Sequence, residues 1–371
     1  MNNLQILMNG VFGRKVPAEF AAADYDYEAA LHDELVKLLC DEKGHLNRYK
    51  FERNKIDLFE LLTQNLEEVL PRSLENALDM FCEIIRVGQG DRLEFHVTRG
   101  KQRGRQFVTR ATESGNYETF RLDRDRFDVY PRAIGGAGYV DFERYLVGLE
   151  SISDIYEVIQ QGITDRIFEM VQEALLQTWN QAGRPAANKV VSNTFDPTAM
   201  VKLCNTVRAY GDPVIYCTPE FAAEMVNAII YSTNIGKISD QDMIEVREKG
   251  YIGRFRGVPV VVLPQSYTDE KNEKTVMNPC FAYVMPTGQN SKIVKLGFEG
   301  SPYFRTWDDH EGDNSIVLQG YLKVGIAVVG TPNYWGIYYN GSLAGTAQDG
   351  NPWYAYNQNL LTAAEKEALN G

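Results

Sequence analysis

The sequence predicts an α+β protein: an N-terminal helical arm, an extended two-stranded excursion, one long helix, and an α/β unit closed by further strands. Three observations predict it. Apolar residues recur at helical spacing in the first quarter of the chain, change to alternation between Gly90 and Tyr145, and return to one long helical stripe from Leu149 to Ala174. Beyond that stripe, helices that open on proline alternate with short runs rich in Val, Ile and Tyr. No stretch of the chain has the four-residue Gly-to-Gly spacing followed by Lys-Ser or Lys-Thr of a phosphate-binding loop.

The arm carries three helical patterns. Ala30, Leu31, Leu35, Leu38 and Leu39 share one face over residues 27–40. Leu58, Phe59, Leu61, Leu62, Leu66 and Val69 form a second stripe that stops near Pro71, and a third runs from Leu74 through Leu78 and Phe81 to Ile85. The polar "DEKGHLNRYKFERNK" between the first two reads as a loop. Such short helices bury little by themselves, so they are expected to pack on the remainder or on another chain.

In the excursion, "LEFHVT" places Leu93, Phe95 and Val97 on one face, and "RQFVTR", "YETFRLD" and "RFDVYP" continue as short strands. Its tip, "RGKQRGRQ", sets Arg99, Lys101, Arg103 and Arg105 at alternate positions, so an extended backbone turns all four cations to one side. The reading is either a solvated basic loop or an inter-subunit contact that docks on an acidic surface. In a chain of net charge −12, that surface can belong to another copy.

The long helix is expected to start at Ser151, with Asp154 three residues on in the manner of a capping box. Leu149, Ile152, Ile155, Tyr156, Ile159, Ile163, Ile167, Met170 and Ala174 form one stripe, and Phe168, Leu175 and Trp179 a second on the opposite side. A helix of about 28 residues is about 42 Å long, and two apolar faces require cover on both sides of its second half. Gly162 costs it about 1 kcal/mol against Ala.

After "AGRPAANK", Asp196-Pro197 and Thr218-Pro219 each read as N-cap and first helical residue. They open helices with Met200, Val201, Leu203, Cys204 and Val207, and with Phe221, Met225 and Ile229, turned inward. "DPVIYC", "CFAYVMP", "SKIVKLGFEG", "NSIVLQGYLKVGIAVVG" and "YWGIYYN" read as strands. The tail "AGTAQDGNPWYAYNQ" reads as a loop before a short final helix. The mixed "GYIGRFRGVPVVVLPQ" (250–265) ends in β-branched residues that disfavour a helix, so it reads as a turn leading into a buried strand.

Composition and motifs exclude more than they assign. With 44% hydrophobic and 24% charged residues the chain is globular, and no run is long and apolar enough to span a bilayer or resemble a signal peptide. Cys40, Cys82, Cys204, Cys217 and Cys280 are scattered without metal-ligand spacing and read as reduced core residues. The charge of −12 argues against a dedicated nucleic-acid binder. His32, His45, His96 and His310 lie far apart, and none stands in a hydrolase or zinc motif. "WDDHEGDN" (307–314) lacks the EF-hand spacing and reads as a solvated loop. "IGGAGY" (134–139) reads as a hinge or bulge, and "DRDRFD" (123–128) as a ladder of surface ion pairs. No catalytic residue, cofactor or metal is expected.

The order of arm, excursion, spine helix, α/β unit and closing strands resembles the major capsid proteins of tailed bacteriophages, which share the Hong Kong-type capsid fold. The likeness covers roughly residues 90–340 and rests on degenerate patterns: "DPVIYCTPEFAAEMV", "GYIGRFRGVPVVVLPQ", "CFAYVMPTGQNSKIVKLGFEG" and "GYLKVGIAVVGTPNYWGIYY". It implies an N-terminal arm (1–89), an extended β excursion (90–147), a spine-helix segment (148–187), an axial α/β domain (188–285), peripheral-domain strands (286–322), and return strands with a tail (323–371). It further implies a protein made in the host cytoplasm that self-assembles, as hexamers and pentamers, into an icosahedral shell around double-stranded DNA. Portal, scaffolding and decoration proteins are the other partners that it implies. Some members join subunits through a Lys–Asn isopeptide bond, for which Lys101 is the only lysine of the excursion. The alternatives are an encapsulin-type compartment and, in a different class, a soluble nucleotide-binding enzyme.

Overall fold

The computed structural model describes residues 26–41, 82–97, 125–141, 152–230, 250–287, 292–308, 315–328, 332–345 and 351–370, together with 6–7, 10, 47, 49–50, 53–54 and 79. In chain order the elements are α1 (Tyr27–Leu39), β1 (Cys82–Val87), β2 (Leu93–Val97), β3 (Asp125–Val129), β4 (Arg132–Asp141), α2 (Ile152–Gln177), β5 (Lys189–Ser192), α3 (Pro197–Arg208) and β6 (Asp212–Cys217). They continue with α4 (Pro219–Ile230), β7 (Arg254–Phe255), β8 (Val258–Val262), β9 (Phe281–Thr287), β10 (Val294–Asp308), β11 (Ser315–Val328), β12 (Gly336–Asn340), α5 (Pro352–Leu360) and α6 (Ala363–Asn370). The fold class is α+β.

Two sheets organise these elements. One has four strands in the order β1-β10-β11-β4, and the other has six in the order β5-β12-β9-β6-β8-β7. β2 and β3 pair only with each other, as an antiparallel ribbon. The helix α2 packs across β4 and β11. Ile163 and Ile167 of the expected stripe are buried, as are Phe168, Leu175 and Trp179 of the second, while Met170 and Ala174 are only partly buried and Val171 and Leu176, outside both expected stripes, are buried with them. The buried residues share one apolar core with Leu296, Phe298 and Val324 of the four-stranded sheet and Phe281, Tyr283 and Ile337 of the six-stranded one. The helix is therefore the wedge between the sheets, as its two apolar faces require. Trp179 stands edge-on to Phe281 with ring centroids 5.3 Å apart. Ser151, and the side chains of Ile152, Ile155, Tyr156 and Ile159, lie outside the described residues.

A second core lies on the other face of the six-stranded sheet, where α3 and α4 cover it with Met200, Leu203, Val207, Phe221 and Met225. Both helices start as the sequence predicts. The Asp196 carboxylate accepts from the Thr198 N–H at 2.8 Å, and the Thr218 hydroxyl from the Phe221 N–H at 3.4 Å. In the mixed Gly/Arg stretch, β7 and β8 form a hairpin whose two turn residues, Arg256 and Gly257, have φ of 47° and 82°. Two positive-φ residues in a two-residue loop match the right-handed twist of the strands, so the glycine serves a turn and Phe255 enters the core.

The structure corrects three expectations. Residues 82–87, read as the end of a third helix, form β1, which runs parallel to β10 with Cys82 opposite Val294. A short apolar run cannot be assigned by periodicity, and its distant partner strand decides it. "IGGAGY" is neither hinge nor bulge but the middle of β4, in register with β11. A Cβ on Gly135 would lie 2.5 Å from the Gly320 carbonyl oxygen, so close backbone approach explains that glycine. Residues 352–358, read as part of a loop, belong to α5, capped by Asn351, whose side chain accepts from the Trp353 N–H at 2.9 Å. In addition, β9 runs through residues 285–286 and β11 through 322–323, so those two divisions of the chain fall inside continuous strands. The second and third arm patterns up to Leu78 lie outside the described residues.

Candidate assembly surface

Arg99, Lys101, Arg103 and Arg105, the cations at the expected tip, lie outside the described residues, as do His45 and His310. The structure does give the root from which that segment departs. The β10–β11 pairing sets Gly297 opposite Gly325, with Lys295 and Ala327 before them and Glu299 and Lys323 after them on the same face. The opposite face of the two strands carries Leu296, Phe298, Val324 and Ile326, which enter the main core. The two glycines thus leave a dimple in the outer face. Leu93 of the ribbon fills it, at 2% exposure, and packs with Phe95, Val129, Ile85, Val87 and Ala327 in a small cluster of its own. A Cβ on Gly297 would overlap the Leu93 side chain, and one on Gly325 would stand 2.9 Å from both Leu93 Cδ2 and Val129 Cγ1.

Polar contacts fasten the same root. Lys323 Nζ donates to Glu299 at 2.8 Å, and the Gly90 N–H donates to the same carboxylate oxygen at 3.0 Å. The Lys323 hydrogen bond and then the Gly90 N–H hold the Glu299 carboxyl below the usual carboxylate range, and the pair raises Lys323 in turn. Gly90 itself has φ 87°, a backbone conformation that suits glycine. On the outward side of the ribbon, Glu94 lies directly opposite Asp128, and Arg126 bridges to Glu94 at 2.6 Å. That is one rung of the ion-pair ladder expected of "DRDRFD". Beneath, Lys295 of β10 is ion-paired with its cross-strand neighbour Glu83 of β1.

Beside the root runs a groove of about 930 Å³ between the ribbon, β4 and α2. Its walls include apolar side chains that a lone subunit leaves in water: Phe127 is 44% exposed, Tyr130 87% and Val158 72%. Alternation places Phe127 on the face of Phe95 and Val129, yet it overhangs the groove while they are buried. Gly162 of α2 lines the same groove, and nothing in the subunit lies within 4 Å of where its Cβ would be. Arg132, Arg166, Asp128 and Glu173 mix both signs of charge around it. Sequence reading alone misses the dimple, because it depends on the register of two strands, and it misses the groove, because Val158 and Tyr130 carry no periodic signal of exposure.

The described residues contain no group of three or more His, Cys, Asp or Glu that could hold a metal ion, and no helix among them is long and apolar enough to cross a membrane. All five cysteines are buried and unbridged.

Comparison with known proteins places a family model, "SPbeta prophage-derived putative capsid protein YonB", on residues 14–329. No curated protein sequence matches the chain. Among solved structures, one from Microbacterium phage Oxtober96 is 11% identical, with a TM-score of 0.47 over 71% of this chain and 90% of its own. A capsid structure of the cyanophage P-SCSP1u is 10% identical, with a TM-score of 0.47 over 70% and 86%. A virus-like particle from Pyrococcus furiosus is 11% identical, with a TM-score of 0.41 over 75% and 99%.

Proposed function

This chain belongs to the family of SPbeta prophage-derived YonB capsid proteins, and from that premise we propose that many copies of it close into an icosahedral shell around the double-stranded DNA of a tailed phage. The role is structural and its place is the capsid. The observation that carries the assembly reading is the solvent-exposed apolar wall of Phe127, Tyr130 and Val158 beside the ribbon root. Such a groove, on a subunit whose other described large apolar side chains are mostly buried, marks a protein contact. Hexamers and pentamers are the symmetric units that such a shell needs. In this reading the four-stranded sheet with α2 forms a peripheral domain, and the six-stranded sheet with α3 and α4 an axial domain. A prophage-derived family favours a phage shell over a cellular compartment.

The cations of the excursion then have a task. Arg99, Lys101, Arg103 and Arg105 reach a neighbouring copy and pair with its carboxylates, in keeping with the −12 charge of the whole chain. Exposed pairs contribute only about 0–1 kcal/mol each, but symmetry repeats them at every interface. Changing all four to Glu should give folded subunits, with unaltered circular dichroism, that fail to close shells. Normal assembly of that variant at low salt would reduce the tip to a solvated loop. The acidic shell wall encloses DNA without gripping it, because counterion release needs clustered cations. Sub-micromolar duplex binding by the subunit at physiological salt would contradict this. Portal, scaffolding and decoration proteins are the further partners that a shell of this class takes.

A further inference from the structure

We propose that Leu93 is a positioning residue for assembly: held in the Gly297–Gly325 dimple, it fixes the place on the subunit from which residues 98–124 depart. The inference rests on the assembly reading above. A two-stranded ribbon is marginally stable alone, so β2 and β3 take their place from what they touch. They touch little. Leu93, Phe95 and Val129 form a cluster separate from both main cores. Among the described residues, the atoms nearest the glycine pair on this face belong to Leu93, Val129 and Pro131, while the opposite face of the same strands is filled by Leu296, Phe298 and Val324. Glycine weakens a strand interior, and here a facing pair is spent on admitting one leucine. The Gly90–Glu299 hydrogen bond, 3.0 Å, then sets the strand entrance three residues upstream.

The test compares Leu93→Ala, which empties the dimple, Gly297→Ala, whose Cβ would fall on the Leu93 side chain, and the double variant, in which the new methyl takes up part of the space that Leu93 leaves. Val207→Ala, in the separate core under α3, serves as a control for lost stability. Two readouts are needed: closed shells by sedimentation, and amide exchange of residues 93–97 and 125–129 in the unassembled subunit. Contacting residues couple strongly, so each single variant should close about tenfold fewer shells than Val207→Ala at equal loss of Tm, and the double should recover to within about twofold of wild type. Exchange in the two ribbon strands should rise about tenfold in the single variants, while the β10–β11 pairing stays protected. If Gly297→Ala does not fold, Leu93→Ala alone still decides through both readouts. Single variants that assemble like Val207→Ala, or a double no better than the singles, would overturn the role of Leu93. Wild-type protein that forms no shells would instead overturn the assembly reading on which it rests.

Discussion

Removing either partner of the Lys295–Glu83 pair breaks the same contact, yet the two losses should differ severalfold. The two residues are register partners on adjacent parallel strands, but the Lys295 side chain is 1% exposed and that of Glu83 is 37% exposed. Replacing Glu83 with Gln strands an ammonium group that water cannot reach, a situation that costs about 3–5 kcal/mol. Replacing Lys295 with Met keeps the packing of the aliphatic stem and leaves a carboxylate that water already meets, so the cost should stay within about 1 kcal/mol. If the sheet unfolds with a cooperative unit of about 150–250 residues, each kcal/mol moves Tm by roughly 2–4 °C. Glu83→Gln should then lower Tm by about 6–20 °C and Lys295→Met by less than about 4 °C. Thermal denaturation of the unassembled subunit reads both, and the double variant should resemble Lys295→Met. A Lys295→Met variant that loses as much as Glu83→Gln would refute the reasoning, since it would mean that the exposed end of the pair, and not the buried one, bears the desolvation cost.

Two further outcomes concern titratable groups. Glu365 accepts from the Thr362 N–H at 2.9 Å and is ion-paired with Lys189, and although burial acts to raise its carboxyl, these partners outweigh it and hold the pKa below the usual range. A depressed folded pKa adds stability above the unfolded value of about 4.3 that is lost as pH falls through the folded one; Tm of wild type should therefore drop more steeply below about pH 4.5 than that of Glu365→Gln, and parallel profiles would contradict this. Burial pushes the thiols of Cys82, Cys217 and Cys280 up to about 12 and that of Cys204 to about 11, and raises Cys40 as well. Native protein should react with a thiol reagent only as fast as it unfolds, and a fast equivalent at neutral pH would show a thiol that is not buried.

Where local chemistry decides, the sequence was legible. The second half of the α2 stripes, the Asp-Pro and Thr-Pro starts of α3 and α4, and the β-branched run of β8 each have a local cause, and each is present in the structure. The Asn351-Pro352 start of α5 carries the same signal as Asp196-Pro197, and the aromatic, glycine-flanked tail obscured it. Where a distant partner decides, the sequence was not legible. Phe81 and Ile85 extend a helical stripe by spacing, but residues 82–87 become a strand because β10, more than two hundred residues on, offers them an edge. The glycines of "KLGFEG" and "KVGIAV" look like breaks in a strand until register sets them face to face beneath Leu93. Among the candidate contact residues, the alternating cations of the excursion announce themselves by charge pattern. The apolar groove beside its root arises only from the packing of three separated segments.

Electron microscopy of the purified chain, expressed without other phage proteins and surveyed across salt and concentration, tests the central claim most directly. The account predicts closed shells or capsomer-sized rings, in which Phe127, Tyr130 and Val158 are protected from oxidative footprinting relative to the unassembled subunit. A monodisperse monomer under all conditions, with those three side chains as accessible as the isolated subunit leaves them, would contradict it.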